Sequence, residues 1–211
     1  MESAHNLDML KPDNSFFRAR GLRAILVLSL AWLFAVSVSA QDKVFQLDPK
    51  QTSVHFALDS VLHTVHGTFE LKRGSLTVDV ASGRMSGEIV VDARSGNSDN
   101  GLRDRKMHRE ILESDKYPEF AFQPSRMEGT LAPIGKSPVQ VHGTLSIHGS
   151  AHEVTLPAEV DLAPDRWSAT IHFTVPYVKW GLKNPSNLFL RVNESVQITV
   201  EASGGYDAQV K

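Results

Sequence analysis

From residue 53 onward, apolar and polar side chains alternate with a period of two. Val54, Phe56 and Leu58 share one parity, against Ser53 and His55 on the other. Val65, Gly67, Phe69 and Leu71 alternate with His66, Thr68 and Glu70, and Leu76, Val78 and Val80 continue the series. Met85, Gly87, Ile89 and Val91 follow, then Phe120 and Phe122. Val139, Val141, Leu145 and Ile147 oppose Gln140, His142, Thr144 and Ser146, and Val154, Leu156, Ala158 and Val160 oppose Glu153, Thr155 and Glu159. Trp167, Ala169, Ile171, Phe173 and Val175 oppose Ser168, Thr170, His172 and Thr174, before a last run of Val196, Ile198, Val200 and Ala202. Successive strand side chains point to opposite faces, so the pattern predicts antiparallel strands with one dry face and one wet face. Parallel strands, covered on both faces, would read as unbroken apolar runs. Counting Val44–Leu47, about ten runs are present. A long sheet with one apolar face curls until it closes. The expected fold is all-β, an antiparallel barrel.

Short breaks suited to hairpins separate the runs: Asp48-Pro49, Arg73-Gly74, Ser82-Gly83, Gly149-Ser150 and Pro164-Asp165. Two longer segments lack alternation. Asp99 to Glu113 is rich in helix formers, with Asp99 or Asn100 placed to cap it and Leu102, Met107, Ile111 and Leu112 as a narrow apolar stripe. Tyr177 to Arg191 is too long for a hairpin and carries Lys179, Lys183 and Arg191 without an acid. In a simple up-and-down meander, four connections separate these two segments, so both emerge at one end. That rim would hold Arg103, Arg105, Lys106, His108, Lys179, Trp180 and Lys183, with the Gly149-Ser150 hairpin beside them.

The amino terminus reads as an address. Arg18, Arg20 and Arg23 precede the apolar run Ala24 to Val38, which ends at Val38-Ser39-Ala40. This is the layout of a signal peptide over residues 1–40, and its run is shorter than the roughly 20 residues needed to span a bilayer. Arg18-Ala19-Arg20 is not a twin-arginine pair, so the expectation is general secretion to the periplasm. Residues 41–205 would form the barrel and Tyr206 to Lys211 a tail. With 22 basic against 24 acidic residues and no cysteine, the chain offers no electrostatic case for nucleic acid. It can have no disulfide, thiolate metal site or cysteine nucleophile.

The segments Leu102-Arg103-Asp104, Met107-His108, Leu112 and Tyr117-Pro118 before Phe120-Ala121-Phe122 resemble the hallmark stretch of YceI-like proteins. Val141-His142-Gly143-Thr144-Leu145-Ser146-Ile147-His148-Gly149 is similar to that family's glycine-punctuated strand and turn. The opening from Phe45 to Phe56 and Val65-His66-Gly67-Thr68-Phe69 fit as well, so the resemblance covers 43 to 203. It implies a lipocalin-like, eight-stranded antiparallel barrel with a short helical insertion. It also implies an amphiphilic lipid, such as a polyisoprenoid, bound inside the barrel of a protein often secreted to the periplasm. Ten runs against eight strands means that bent or edge pieces are being counted separately. Phe45 stands where many members have tryptophan, a departure that bears on the entrance.

Parity alone does not separate a ligand-holding bore from a core filled by its own side chains; the resemblance implies the bore. Its lining is then expected from Phe56, Val65, Phe69, Ile89, Val91, Met107, Ile111, Phe120, Phe122, Leu145, Ile147, Trp167, Ile171 and Phe173. A head group would meet Arg103, His108, Lys179, Trp180 and Lys183 at the rim. Arg103 and Asp104, being adjacent, are read as a rim-facing cation and a helix-starting acid with separate roles. No phosphate loop, H-E-x-x-H or G-x-S-x-G is present, so neither catalysis nor a cofactor is called for. The competing reading is a rim enzyme or metal-dependent stress protein using His108, Arg103 and His148, with His152 near by. His55, His142 and His172 fall on the wet parity as solvated residues. Exposed polar strand faces are compatible with a homodimer along an edge.

Overall fold

The structure, a computed structural model, describes residues 41–188 and 190–210. The expected signal peptide (1–40) lies outside the described residues. The strands are β1 (Gln41–Gln46), β2 (Ser53–Asp59), β3 (Thr64–Asp79), β4 (Met85–Asn97), β5 (Glu119–Glu128), β6 (Gly135–Ile147), β7 (Ser150–Leu162), β8 (Trp167–Val175), β9 (Val196–Gly204) and β10 (Tyr206–Val210). Between β4 and β5 lie a short helix, α1 (Gly101–Lys106), and a π-helical turn (Met107–Ile111).

Every pairing is antiparallel, in the order β10-β1-β3-β2-β9-β8-β7-β6-β5-β4, and β3 also pairs with β4. The barrel is therefore closed and eight-stranded. One edge of β3 is shared: β2 takes Thr64 to Glu70 and β1 takes Ser75 to Asp79. β1 with β2, and β9 with β10, each occupy one position in the wall; of the ten runs read from the sequence, 65–71 and 76–80 are one strand, β3, and those in β1 and β2 share a position, which leaves eight. β10 corrects the expectation of a tail. Tyr206 stacks on Phe45 at 5.6 Å and its hydroxyl donates to the Ala163 carbonyl at 2.9 Å, and the strand adds a partner to β1.

Arg73-Gly74 is likewise no hairpin. β3 runs through it with a register irregularity against β4 between Leu71 and Arg73. A bulge inserts one residue and flips parity, so the inward set passes from Val65, Phe69 and Leu71 to Leu76 and Val78. The parity change marks a bend in one long strand, not a reversal between two.

The ends of the barrel differ. At one end Phe45, Leu47, Val78, Met85, Leu131, Leu162 and Trp167 form a buried cluster. Trp167 meets Phe45 edge-on at 5.4 Å, and its indole N–H donates to the Gln46 and Gly205 carbonyls at 3.3 and 3.1 Å. That end is stoppered by aromatic rings, and Phe45 belongs to this floor, not to the entrance. The β2–β3 turn, the insertion, the His148-Gly149 turn and the β8–β9 loop all leave from the opposite end, as the meander count requires.

Two inward glycines keep the wall thin where phenylalanine rings lie on it. Gly67 pairs with Phe56, and a Cβ on Gly67 would stand 2.3 Å from the Phe56 ring and 2.5 Å from the Asn97 carbonyl. A Cβ on Gly143 would stand 2.8 Å from the Phe122 ring. Without a side chain beneath them, these rings lie flat against the sheet. Gly67→Ala is expected to cost about 1–3 kcal/mol through overpacking. Adding Phe56→Leu should recover part of that loss in chemical denaturation; simple additivity of the two changes would show that the ring and the glycine do not interact.

Candidate functional site

The inward face encloses a cavity of about 650 Å³, inside the roughly 300–1,000 Å³ span of small-molecule sites. The bore is not plugged by its own side chains. Each residue expected to line it does so: Phe56, Val65, Phe69, Ile89, Val91, Met107, Ile111, Phe120, Phe122, Leu145, Ile147, Trp167, Ile171 and Phe173. Phe69 bridges Phe56 and Phe120 through ring contacts at 5.4 Å each, so a continuous aromatic surface crosses β2, β3 and β5. Trp167 contributes the floor. Almost no polar atom faces the interior, and an apolar hole of this kind gives water too few hydrogen-bond partners to fill it favourably.

Apart from Thr52, a buried residue of the β1–β2 connection that also lines the cavity, polar lining residues gather where the cavity opens. Ser60 and His63 from the β2–β3 turn, Ser98, Arg103 and Lys106 from the insertion, and Pro185, Asn187 and Leu190 from the β8–β9 loop form the opening. Most of these were not legible beforehand, because loops carry no parity; for Arg103 and Lys106 the topological count was the available signal.

Arg103 is at the opening as expected, but not as an independent cation. Its Nε donates to Ser98 Oγ at 2.7 Å and Nη2 donates to the Ser98 carbonyl. Ser98 in turn donates both its N–H, at 3.0 Å, and its hydroxyl to Asp104 Oδ1. Arg103 and Asp104 thus converge on one buried serine instead of holding separate roles, and pin the start of α1 to the end of β4. Asn100 caps the helix, accepting from the Leu102 and Arg103 amides at 3.2 and 3.1 Å. Beyond Lys106 the π turn closes with the Leu112 amide bonded to the Met107 carbonyl at 2.8 Å. This places Met107, Ile111 and Leu112 over the bore, but Leu102, expected in the same apolar stripe, is exposed.

The other rim expectations need correction. His108 does not line the cavity: its Nε2–H donates to the Gly96 carbonyl at 2.8 Å, and its Nδ1 accepts from Ser114 Oγ at 3.0 Å. The imidazole fastens the insertion to β4. Lys179 and Lys183 are exposed and do not line the cavity itself, although Lys183 adjoins its lining residue Leu182. Trp180 lies flat on His152, with ring centroids 4.0 Å apart and planes 4° from parallel, and packs against the buried cluster at that end. His148 packs against Tyr117 at 4.4 Å, with its Nε2 3.6 Å from Glu113. His108, His148 and His152 each serve a different local contact, and Arg103 serves Ser98. In the competing reading built on His108, Arg103 and His148, each side chain is engaged in its own contact, and no metal-binding group of three occurs among the described residues.

The β8–β9 loop, expected to be functional from its length, is fixed by Tyr177 and Leu182. Both are buried in the cluster at the open end. The Leu182 amide bonds the Tyr177 carbonyl at 3.0 Å, and the Tyr177 hydroxyl donates to the Asn193 carbonyl at 2.7 Å, tying the loop's two arms together. Burial, aided by the Glu194 carboxylate, pushes the Tyr177 phenol up to about 12. A folded-state pKa above the unfolded value of about 10 gives stability that is whole below pH 10 and is lost as pH rises through about 12. Thermal melts from pH 9 to 12 are expected to show that decline in the native protein. Tyr177→Phe should start about 1 kcal/mol lower and lack that component; identical pH profiles would refute the anchor.

A family model described as a YceI-like domain matches residues 45–203. Among solved structures, BcnA of Burkholderia cenocepacia is similar with a TM-score of 0.62 and 18% identity, covering 75% of this chain and 99% of its own. A polyisoprenoid-binding domain from Saccharophagus degradans, implicated in plant cell wall breakdown, gives 0.57 and 16%, covering 81% and 99%. A Campylobacter jejuni YceI protein gives 0.50 and 17%, covering 63% and 79%. No curated protein matches the chain by sequence.

Proposed function

Since the chain belongs to the YceI-like family, we propose that it binds a single long-chain amphiphile of polyisoprenoid type in the bore and carries it through the periplasm, without catalysis. The observation that carries this reading is the apolar cavity of about 650 Å³, stoppered at one end and open at the other beside Arg103 and Lys106. A prenyl chain has no hydrogen-bonding groups, so its affinity must come from apolar area removed from water. At about 25 cal/mol per Å², burying several hundred Å² yields on the order of 10 kcal/mol, from which ordering the chain and losing translational freedom subtract a large part. A polar head left at the opening keeps its hydration and lies within reach of two cations. The polyisoprenoid-binding domain with the same fold supports the choice of ligand class. Export through the general secretion route, with removal of residues 1–40, would deliver the carrier to an aqueous compartment that such lipids cannot cross unaided.

Native mass spectrometry of protein purified without detergent is expected to reveal an apolar adduct, or uptake of added farnesol. Ile147→Asp and Phe69→Asp, which place a carboxylate in the bore, should weaken uptake at least a hundredfold. Ile171→Trp should block it by filling the space, while the outward Thr174→Asp should leave it intact. Adduct-free protein that takes up no prenyl chain would overturn the proposal, as would equal uptake by all four variants.

A further inference from the structure

Four large apolar residues stand exposed around the opening: Val61 and Leu62 on the β2–β3 turn, Leu102 on α1, and Leu188 on the β8–β9 loop. Leu62 is 73% and Leu188 96% exposed. They belong to one surface. The Val61 amide bonds the Arg191 carbonyl at 3.1 Å and Ser60 pairs with Val192, so the turn and the loop are joined. Leu102 lines the same opening as His63, Pro185 and Leu190. Exposing this much aliphatic surface to water around a hole is unfavourable unless something apolar covers it.

Charge at the opening says what that cover is. On the barrel wall, Lys72, Arg73, Arg126 and Lys136 are each paired with a glutamate. Around the opening, Arg105, Lys106, Lys183 and Arg191 are exposed, and among the described residues none has a carboxylate within ion-pair distance. Of the acids on these segments, Asp104 is committed to Ser98, Asp59 accepts from Thr64, Asp115 faces Arg94 and Glu113 faces His148; Asp99, Glu110 and Glu194 are the remainder. Aliphatic tips interleaved with uncompensated cations match a surface that is apolar beneath and anionic on top.

We propose that the open end of the barrel docks on an anionic phospholipid bilayer. Val61, Leu62, Leu102 and Leu188 enter the boundary between head groups and acyl chains, and Arg105, Lys106, Lys183 and Arg191 meet lipid phosphates. Docked this way, the opening faces the acyl region, and a prenyl chain passes between bilayer and bore without crossing water. The inference rests on the carrier reading but concerns the partner that loads and unloads it.

The chain has no cysteine, so single cysteines introduced into the full chain can carry an environment-sensitive nitrobenzoxadiazole probe. Leu62→Cys and Leu188→Cys are exposed sites outside the bore lining, and Ile134→Cys, 67% exposed, serves as control at the stoppered end. With vesicles of phosphatidylcholine and phosphatidylglycerol in a two-to-one ratio, probes at 62 and 188 are expected to brighten several-fold and shift to the blue. The probe at 134 should stay unchanged, whatever else on the chain holds the vesicle. Raising salt should weaken the response by screening, and Lys183→Gln with Arg191→Gln should weaken it about thirtyfold. A response at 62 and 188 no greater than at 134 would overturn docking; equal responses to pure phosphatidylcholine would overturn the anionic partner. Farnesol uptake, followed separately, distinguishes the two readings. Uptake without docking removes only this inference, whereas docking without uptake removes the carrier.

Discussion

Hydrogen bonding along both edges of β3 is the constraint on which the rest depends. This strand is 16 residues long, pairs with β4 on one side, and divides its other side between β2 and β1. Sharing that edge joins the two ends of a meander into a closed wall. The division also makes the two ends of the barrel different. Where β1 and β10 continue the wall, Phe45, Tyr206 and Trp167 converge and fill it; where β2 and β9 occupy those positions, no such plug exists and the bore stays open. One splice in the strand order therefore sets both closure and polarity of the container.

Strand parity made the wall of this container legible residue by residue. A period of two has a single physical cause, and every residue expected to line the bore, from Phe56 to Phe173, does so, whereas Val80, read on the same parity, falls past the end of β3 and is exposed. Parity failed where a bulge reset it, at Leu71 to Arg73, because one extra residue mimics the end of a strand. It was also silent about the rim. Arg103, His108 and Trp180 were recognisable as unusual residues in non-alternating segments, but their roles depend on which neighbour each reaches. Ser98, Gly96 and His152, which decide those roles, carry no signal of their own in the sequence. β10 was missed because Tyr206 lies in a short polar segment whose pairing depends on β1, far away along the chain.

The corrected rim has a simple logic. Arg103 and Asp104 through Ser98, and His108 through Gly96 and Ser114, spend their hydrogen bonds on fastening the insertion to β4. Tyr177 does the same for the β8–β9 loop through Asn193. An opening built from loops would otherwise fluctuate in width, and each of these clamps ties one of them down. The polar chemistry near the opening serves its shape.

A container for an apolar chain faces a conflict at its entrance. The walls must exclude water to bind the chain, yet the chain must leave a medium in which it is already comfortable. Transfer between two apolar environments has little driving force either way, so what matters is the height of the barrier between them, and exposing a prenyl chain to water raises it by about 0.8 kcal/mol for each methylene uncovered. In the docking proposed above, clamps at the opening, with the exposed Leu62 and Leu188 beside them, would answer both requirements. The clamps would hold the opening at a fixed width in solution, and the leucines would let it meet an apolar surface with no water gap. On this argument the polar clamps of the insertion and the β8–β9 loop, and the exposed Leu102 and Leu188 that the same two segments carry, are complementary parts of one device.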